Sequence, residues 1–163
     1  MGVELEPDLA FVVDDGTRAV GYIVGTKDTP AFVERYRSSW LPRLSSRHPA
    51  PTREPQTPSQ AMIHLMHRPE RLHLPEPAAH PAHSHIDLLP RCQRGGHGRE
   101  LMAVFPEALR RLGVEAVHLG MVSSNTGARA FHDRLDFHPI TVPEPGALTC
   151  LGRRSTPFEQ LPA

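Results

Sequence analysis

The residues best suited to chemistry lie in one turn, Pro90-Arg91-Cys92-Gln93-Arg94-Gly95-Gly96-His97-Gly98-Arg99, which mixes glycines with arginines. Glycines let a ligand come close to the backbone, and the unpaired N–H groups that open a helix carry the positive end of its dipole. Together with Arg91, Arg94 and Arg99 this is the chemistry of a phosphate cradle. Upstream, His85-Ile86-Asp87-Leu88-Leu89 reads as a short buried strand. Downstream, Leu101, Met102, Phe105, Leu109 and Leu112 recur at helical spacing and predict an amphipathic helix over 99–112. The turn therefore joins a strand to a helix. Many such turns only reverse the chain. This one is neither a Walker loop, which ends in Gly-Lys-Ser or Gly-Lys-Thr, nor a dinucleotide fingerprint, because its glycines fall in the wrong order.

A second constellation follows at a distance. Val117 to Val122 reads as a strand, and Ser124-Asn125-Thr126-Gly127-Ala128-Arg129-Ala130-Phe131-His132-Asp133-Arg134-Leu135-Asp136-Phe137 comes after it. The order Gln93-x-x-Gly96-x-Gly98 resembles the acetyl-CoA pyrophosphate loop of the GNAT superfamily of N-acetyltransferases. Asn125, Ala128, Phe131, Leu135 and Phe137 match that superfamily's next conserved segment, so the resemblance covers about Ala82 to Ile140. Upstream, Gly21-Tyr22-Ile23-Val24-Gly25-Thr26-Lys27-Asp28-Thr29-Pro30-Ala31-Phe32 and Ser39-Trp40-Leu41-Pro42 are similar to the acetyltransferase-like domain of animal O-GlcNAcase and its free-standing bacterial relatives. No glycosidase domain accompanies it here.

The resemblance implies an α/β (α+β) GNAT fold: a mixed, mostly antiparallel sheet with a splayed central strand pair flanked by helices. It implies a single domain over 1–163, with a hairpin at 9–26, a proline-rich insertion at 30–81 and an acetyl-CoA-binding core at 82–153. Its implied cofactor-binding residues are Leu88, Leu89, Gln93, Arg94, Gly95, Gly96, His97, Gly98, Arg99, Asn125, Ala128 and Phe131. Backbone N–H groups near Leu88 and Leu89 would polarise the thioester carbonyl. The partner would be an amine-bearing small molecule or peptide. The animal domain is regarded as a pseudo-acetyltransferase, so an inactive acetyl-CoA-binding module and a plain interaction module stand as alternatives, although this chain keeps the glycines a cofactor needs.

The catalytic residues follow less directly. Many relatives carry a Glu on the strand before the Asn segment, but that position here is Gly120. Asp87, set in an apolar strand, is the substitute base, since burial would raise its pKa toward a useful range. It equally fits an Asp that orders a loop or fixes a substrate ammonium. His85 and His118 are secondary candidates, and water could relay the proton. Where relatives have a Tyr, this chain has His132, whose imidazolium could protonate a leaving thiolate. A thiolate also leaves well unaided. Asp136 replaces a glycine, and Pro106 inside the cofactor helix predicts a kink.

The supporting elements begin with Leu9–Val13, Asp14-Asp15-Gly16-Thr17 and Ala19–Thr26, which read as strand, tight turn and strand. The segment from Pro30 to Pro81 reads as irregular. Pro49, Pro51, Pro55 and Pro58 keep 47–57 out of helix, and Thr57 caps a short helix over 58–67 whose Met62, Leu65 and Met66 face the core or form a lid. Pro69, Pro75, Pro77 and Pro81 return the chain to the central strand, and the insertion is assigned to the acceptor pocket. Trp40, Tyr22 and Tyr36 line that pocket or belong to the core. Superfamily members start with a strand and helices ahead of the hairpin, so the fold reads as shortened at its N-terminus. A homodimer would cover the edge this exposes.

Composition sets the outer bounds. With 163 residues, 39% of them hydrophobic, and a formal net charge of zero, the chain fits one globular core and gives no reason to invoke nucleic acid or membrane. Cys92 and Cys150 are too few for a disulfide framework and suit a cytoplasmic location. The spacing of the eleven histidines matches no metal-site pattern, so no metal is expected.

Overall fold

The hairpin at the front sets the first edge of the sheet. In the computed structural model, which describes residues 2–76 and 78–156, β1 (Ala10–Asp14) turns into β2 (Ala19–Thr26). The turn closes because the Asp14 carboxylate accepts from Gly16 N–H at 2.7 Å, while Asp15 accepts from Thr17 and Arg18 N–H at 3.0 and 3.1 Å. Gly16 sits at φ +89°, where a Cβ is disfavoured. Four more strands complete the sheet: β3 (Ala82–Leu88), β4 (Ala116–Val122), β5 (His138–Ile140) and β6 (Leu148–Arg154). The order is β1-β2-β3-β4-β6-β5, antiparallel throughout except for the parallel pair β3 and β4. Pro77 and the termini of the expected domain lie outside the described residues.

β3 starts three residues earlier than the sequence suggests and is not buried on both faces. Paired along its length with β2, it turns Ala82 and Ser84 inward and leaves His85 and Asp87 exposed. The alternation is that of a half-covered strand.

The segment after β2 is more ordered than its proline count suggests. The short α1 (Gly2–Leu5) precedes the hairpin, and α2 (Thr29–Arg35) follows it, running through a π turn (Tyr36–Trp40) into α3 (Leu41–Ser45). Asp28 caps α2 by accepting from Ala31 N–H at 2.9 Å, and Pro30 occupies the first turn, where its missing N–H costs nothing. Pro42, which also has no N–H to give, lies just after the π turn, where Leu41 N–H bonds back to Tyr36 O. These helices therefore lie between β2 and β3, inside the segment read as irregular. The next helix, α4 (Pro58–Met66), appears as predicted, capped by Thr57 accepting from Gln60 N–H at 3.2 Å.

The core forms where α5 (His97–Arg111) lays Leu101, Met102, Phe105 and Leu109 against Ile23, Val117 and Leu151. Each of these side chains contributes about 1.5–3 kcal/mol by leaving water. Gly25 makes that contact possible, because a Cβ there would lie 2.4 Å from Phe105 Cζ and 2.2 Å from His83 O. Pro106 is buried within α5, and the helix continues through it to Arg111. On the other side, Tyr36 O–H donates to Met66 O at 2.7 Å, and the buried His118 ring lies 2.9 Å from His80 O and 3.2 Å from Leu72 O. Among the described residues no helix is long and apolar enough to cross a membrane.

Candidate functional site

The site begins where two strands part. β3 and β4 pair only at Ala82 with Val117 and His83 with His118, so the edge of β3 beyond His83 faces a gap. In an antiparallel ladder successive residues direct their N–H and C=O to opposite sides. Leu89 N–H donates to Val20 O at 2.9 Å, which fixes the phase: Asp87 and Leu89 turn toward β2, Ile86 and Leu88 toward the gap. The Leu88 N–H therefore turns into the gap, while the Leu89 N–H is spent on β2. Gln93 Nε2 donates to Leu88 O at 3.1 Å, placing the start of the glycine turn beside that strand.

The turn ends at Gly96, the N-cap of α5, with φ +90°. The first backbone bond of α5 runs from Glu100 N–H to Gly96 O at 3.1 Å, leaving the N–H groups of His97, Gly98 and Arg99 without an acceptor among the described residues. A Cβ on Gly96 would meet nothing within 4 Å, whereas one on Gly98 would lie 3.1 Å from Phe131 Cζ. The first glycine keeps the approach open. The second lets α6 (Thr126–Asp133) close against the turn.

A cleft of about 650 Å3 joins β3, the turn and α6. Among the residues assigned from sequence, Asp87, Leu88, Gln93, Arg94, Gly96, Gly98, Arg99, Asn125, Ala128, Phe131 and His132 line it. Leu89, Gly95 and His97 do not. Leu89 is spent on β2, His97 turns its Nδ1 toward the Glu100 carboxylate at 3.3 Å, and Gly95 sits beneath the His97 ring. Ile86, Gly127, Ala130 and Arg134 line the cleft without having been assigned. Their signal was present, since Gly127, Ala130 and Arg134 follow the helical repeat of one face of α6. Arg94, Arg99 and Arg134 make no ion pair among the described residues, whereas Arg91 is drawn off to Asp15 at 3.2 Å. Unpaired amides at a helix start, an open glycine and three free guanidiniums fit a diphosphate. The volume suits a ligand of cofactor size.

The candidate acids and bases are differently placed from what the sequence suggests. Asp87 is solvent-exposed, not buried as its apolar strand suggests. It stands in register with Tyr22, whose hydroxyl is pushed above its ordinary pKa by burial first and by the Asp87 charge second. The Tyr22 and His85 rings lie 6.0 Å apart between centroids. His118 is buried, which lowers its pKa, and each ring nitrogen faces a backbone carbonyl, of which a neutral ring can donate to one; its place in the core keeps it from acting as a base. Gly120, where relatives place a Glu, is exposed and bare.

His132 departs most from expectation. The residue is 4% exposed, its Nδ1 is buried with no partner, and its ring is wedged between Phe131 and Phe137, each 5.1 Å away between centroids. Burial lowers its pKa to about 4, against a smaller opposing pull from Asp133. Burial thus favours the neutral ring over the resting imidazolium expected of it. Asn125 spends its Oδ1 on capping α6, accepting from Ala128 N–H at 3.0 Å. Cys92 and Cys150 are free thiols, and no group of three or more His, Cys, Asp or Glu among the described residues could hold a metal.

The parted strands, the glycine-capped helix and the segment after β4 define an acyltransferase architecture, and the chain belongs to the acetyltransferase (GNAT) family, whose profile matches residues 52–137. It is 56% identical to the solved structure of SsHAT, covering 95% of this chain and 76% of that one with a TM-score of 0.88. The Salmonella typhimurium protein yncA, solved with its cofactor acetyl-CoA, shares the fold at a TM-score of 0.55 and 15% identity, covering 99% of this chain and 74% of that one. Protein O-GlcNAcase from Rattus norvegicus is 23% identical over 155 residues, which are 93% of this chain. The chain spans only 17% of that curated relative's length.

Proposed function

We propose that this chain is an acetyl-CoA-dependent N-acetyltransferase that moves an acetyl group to an amine by direct attack on the thioester. The observation that carries this reading is the run of amides from His97 to Arg99, opening into a cleft with Arg94, Arg99 and Arg134, none of which has a partner of its kind among the described residues. Acetyl-CoA, when bound, supplies the activated acetyl group. The amides of the turn and Arg94, Arg99 and Arg134 hold the diphosphate. Gln93, Asn125 and Phe131 line its path.

Leu88 N–H, turned into the gap, donates to the thioester oxygen and stabilises charge as it builds there. Asp87, at the exposed end of β3, holds the incoming ammonium and receives its proton directly or through water. His132 acts as a neutral ring able to donate a single hydrogen bond, so the CoA sulfur leaves as a thiolate without an acid and takes its proton from water.

Calorimetry with acetyl-CoA and CoA tests the cradle. Micromolar binding is expected in the parent and a loss of at least about tenfold in Gly96→Val, which puts a branched side chain at positive φ and in the phosphate path. A free-thiol assay over a panel of amines tests the transfer, with Asp87→Asn expected to lower kcat by about a hundredfold. Equal turnover in the variant removes Asp87 from the mechanism. No binding of either nucleotide removes the function.

A further inference from the structure

A second concavity, about 180 Å3, lies away from the cleft, between the π turn and α4. Tyr36 and Trp40 stack on one side with ring centroids 5.0 Å apart. Met62 and Leu65 of α4 face them and remain 55% and 41% exposed, so the stripe expected to be core or lid instead walls an open apolar groove. Its volume is well below the roughly 300 Å3 of drug-sized sites, so it takes one ring or one branched aliphatic group.

Arg71 is the one charged side chain lining this groove. It makes no ion pair among the described residues, because its neighbour Glu70 is taken by Arg37. A guanidinium at an apolar wall with no counter-ion suits a ligand that brings a carboxylate. Leu72, beside Arg71 in the groove wall, sets its carbonyl 3.2 Å from His118 Nε2, and the His118 ring lies 5.1 Å between centroids from that of His83, which is followed on the same side of β3 by His85. His83 and His85 share the face of β3 that carries Asp87. Asp87 lies two residues from His85 and four from His83, or about 7 to 13 Å along the strand. The groove and the acceptor end of the cleft are therefore within reach of one peptide-sized molecule.

We propose that the acceptor is an apolar amino carboxylate whose ring or branched group fills the groove between Trp40 and Leu65, whose carboxylate pairs with Arg71, and whose amine reaches Asp87. The assignment of the amine end rests on the acetyl-transfer reading. The carboxylate preference of the groove does not.

The test has two arms. In the first, calorimetry compares 3-phenylpropionate with 3-phenylpropionamide, without acetyl-CoA. The acid is expected to bind about tenfold more tightly, the worth of one charge-assisted hydrogen bond open to water. Arg71→Met is expected to abolish the difference, and Leu65→Glu, which changes an exposed side chain and sets a carboxylate in the groove, to block the acid. In the second arm, acetylation of Gly-Gly-Phe is compared with that of its C-terminal amide. The acid should show a KM about tenfold lower at similar kcat, and Arg71→Met should erase that gap while Arg71→Lys keeps part of it. Equal binding of the two probes, or a preference that survives both Arg71→Met and Leu65→Glu, overturns the proposal. If the probes are told apart but no amine is acetylated, the transferase reading and the acceptor assignment fall together and the anion-binding groove alone stands.

Discussion

His132 offers a test that needs no ligand. Its pKa is about 4 in the folded protein and about 6.5 in an unfolded chain, so between those values the unfolded state binds a proton that the folded state refuses. Unfolding is therefore favoured as pH falls through this window. The stabilising contribution is fully present above about pH 6.5 and is lost progressively toward pH 4. From pH 7 to 4.5 the loss from this one ring comes to about 2 kcal/mol, a large share of a typical domain's stability. His132→Phe keeps an aromatic ring between Phe131 and Phe137 and removes both the titration and the unpartnered Nδ1. The measurement is urea unfolding of parent and variant across pH 4.5 to 7.5, read as the difference between their slopes. Subtracting the variant cancels the other buried histidines, including His83, whose pKa burial lowers to about 3 and which acts in the same direction. Identical acid sensitivity in the two proteins would refute the argument. So would an NMR titration placing the His132 midpoint above pH 6.

Other perturbations read the scaffold. Gly25→Ala drives a methyl into Phe105 and the His83 carbonyl, and unfolding by heat or urea should show a loss of at least about 3 kcal/mol. Asp28→Ala removes the cap of α2 and should cost about 1 kcal/mol by the same measurement, with faster amide exchange confined to the first turn of that helix.

Much of this architecture was legible because it rests on local chemistry. Asp14, Asp15 and Gly16 specify their turn unaided, Thr57 and Pro58 announce α4, and the apolar repeat from Leu101 to Leu109 can only be a helix with one buried face. The cleft was legible for the same reason, since Gly96, Gly98 and Asn125 act through backbone geometry. What escaped depends on contacts distant in sequence. That Leu89 spends its N–H on Val20 follows from the register of β2 on β3, which no run of residues states. The neutral His132 depends on two phenylalanines, of which one arrives after the helix has ended. The helical stretch after Asp28 was missed for another reason: the segment from Pro30 reads as irregular by its proline density, yet Pro30 and Pro42 stand in first turns, where proline fits a helix.

The parting of β3 from β4 leaves the two halves of the sheet sharing a seam only two residue pairs long. Across the rest of that seam the halves are held by side chains of one shared core and not by a ladder. Each half can then fluctuate with some independence, and whatever lodges in the gap becomes a third tie between them. Amide exchange along β3 and β4 should slow together when the gap is filled, even at residues that touch nothing new.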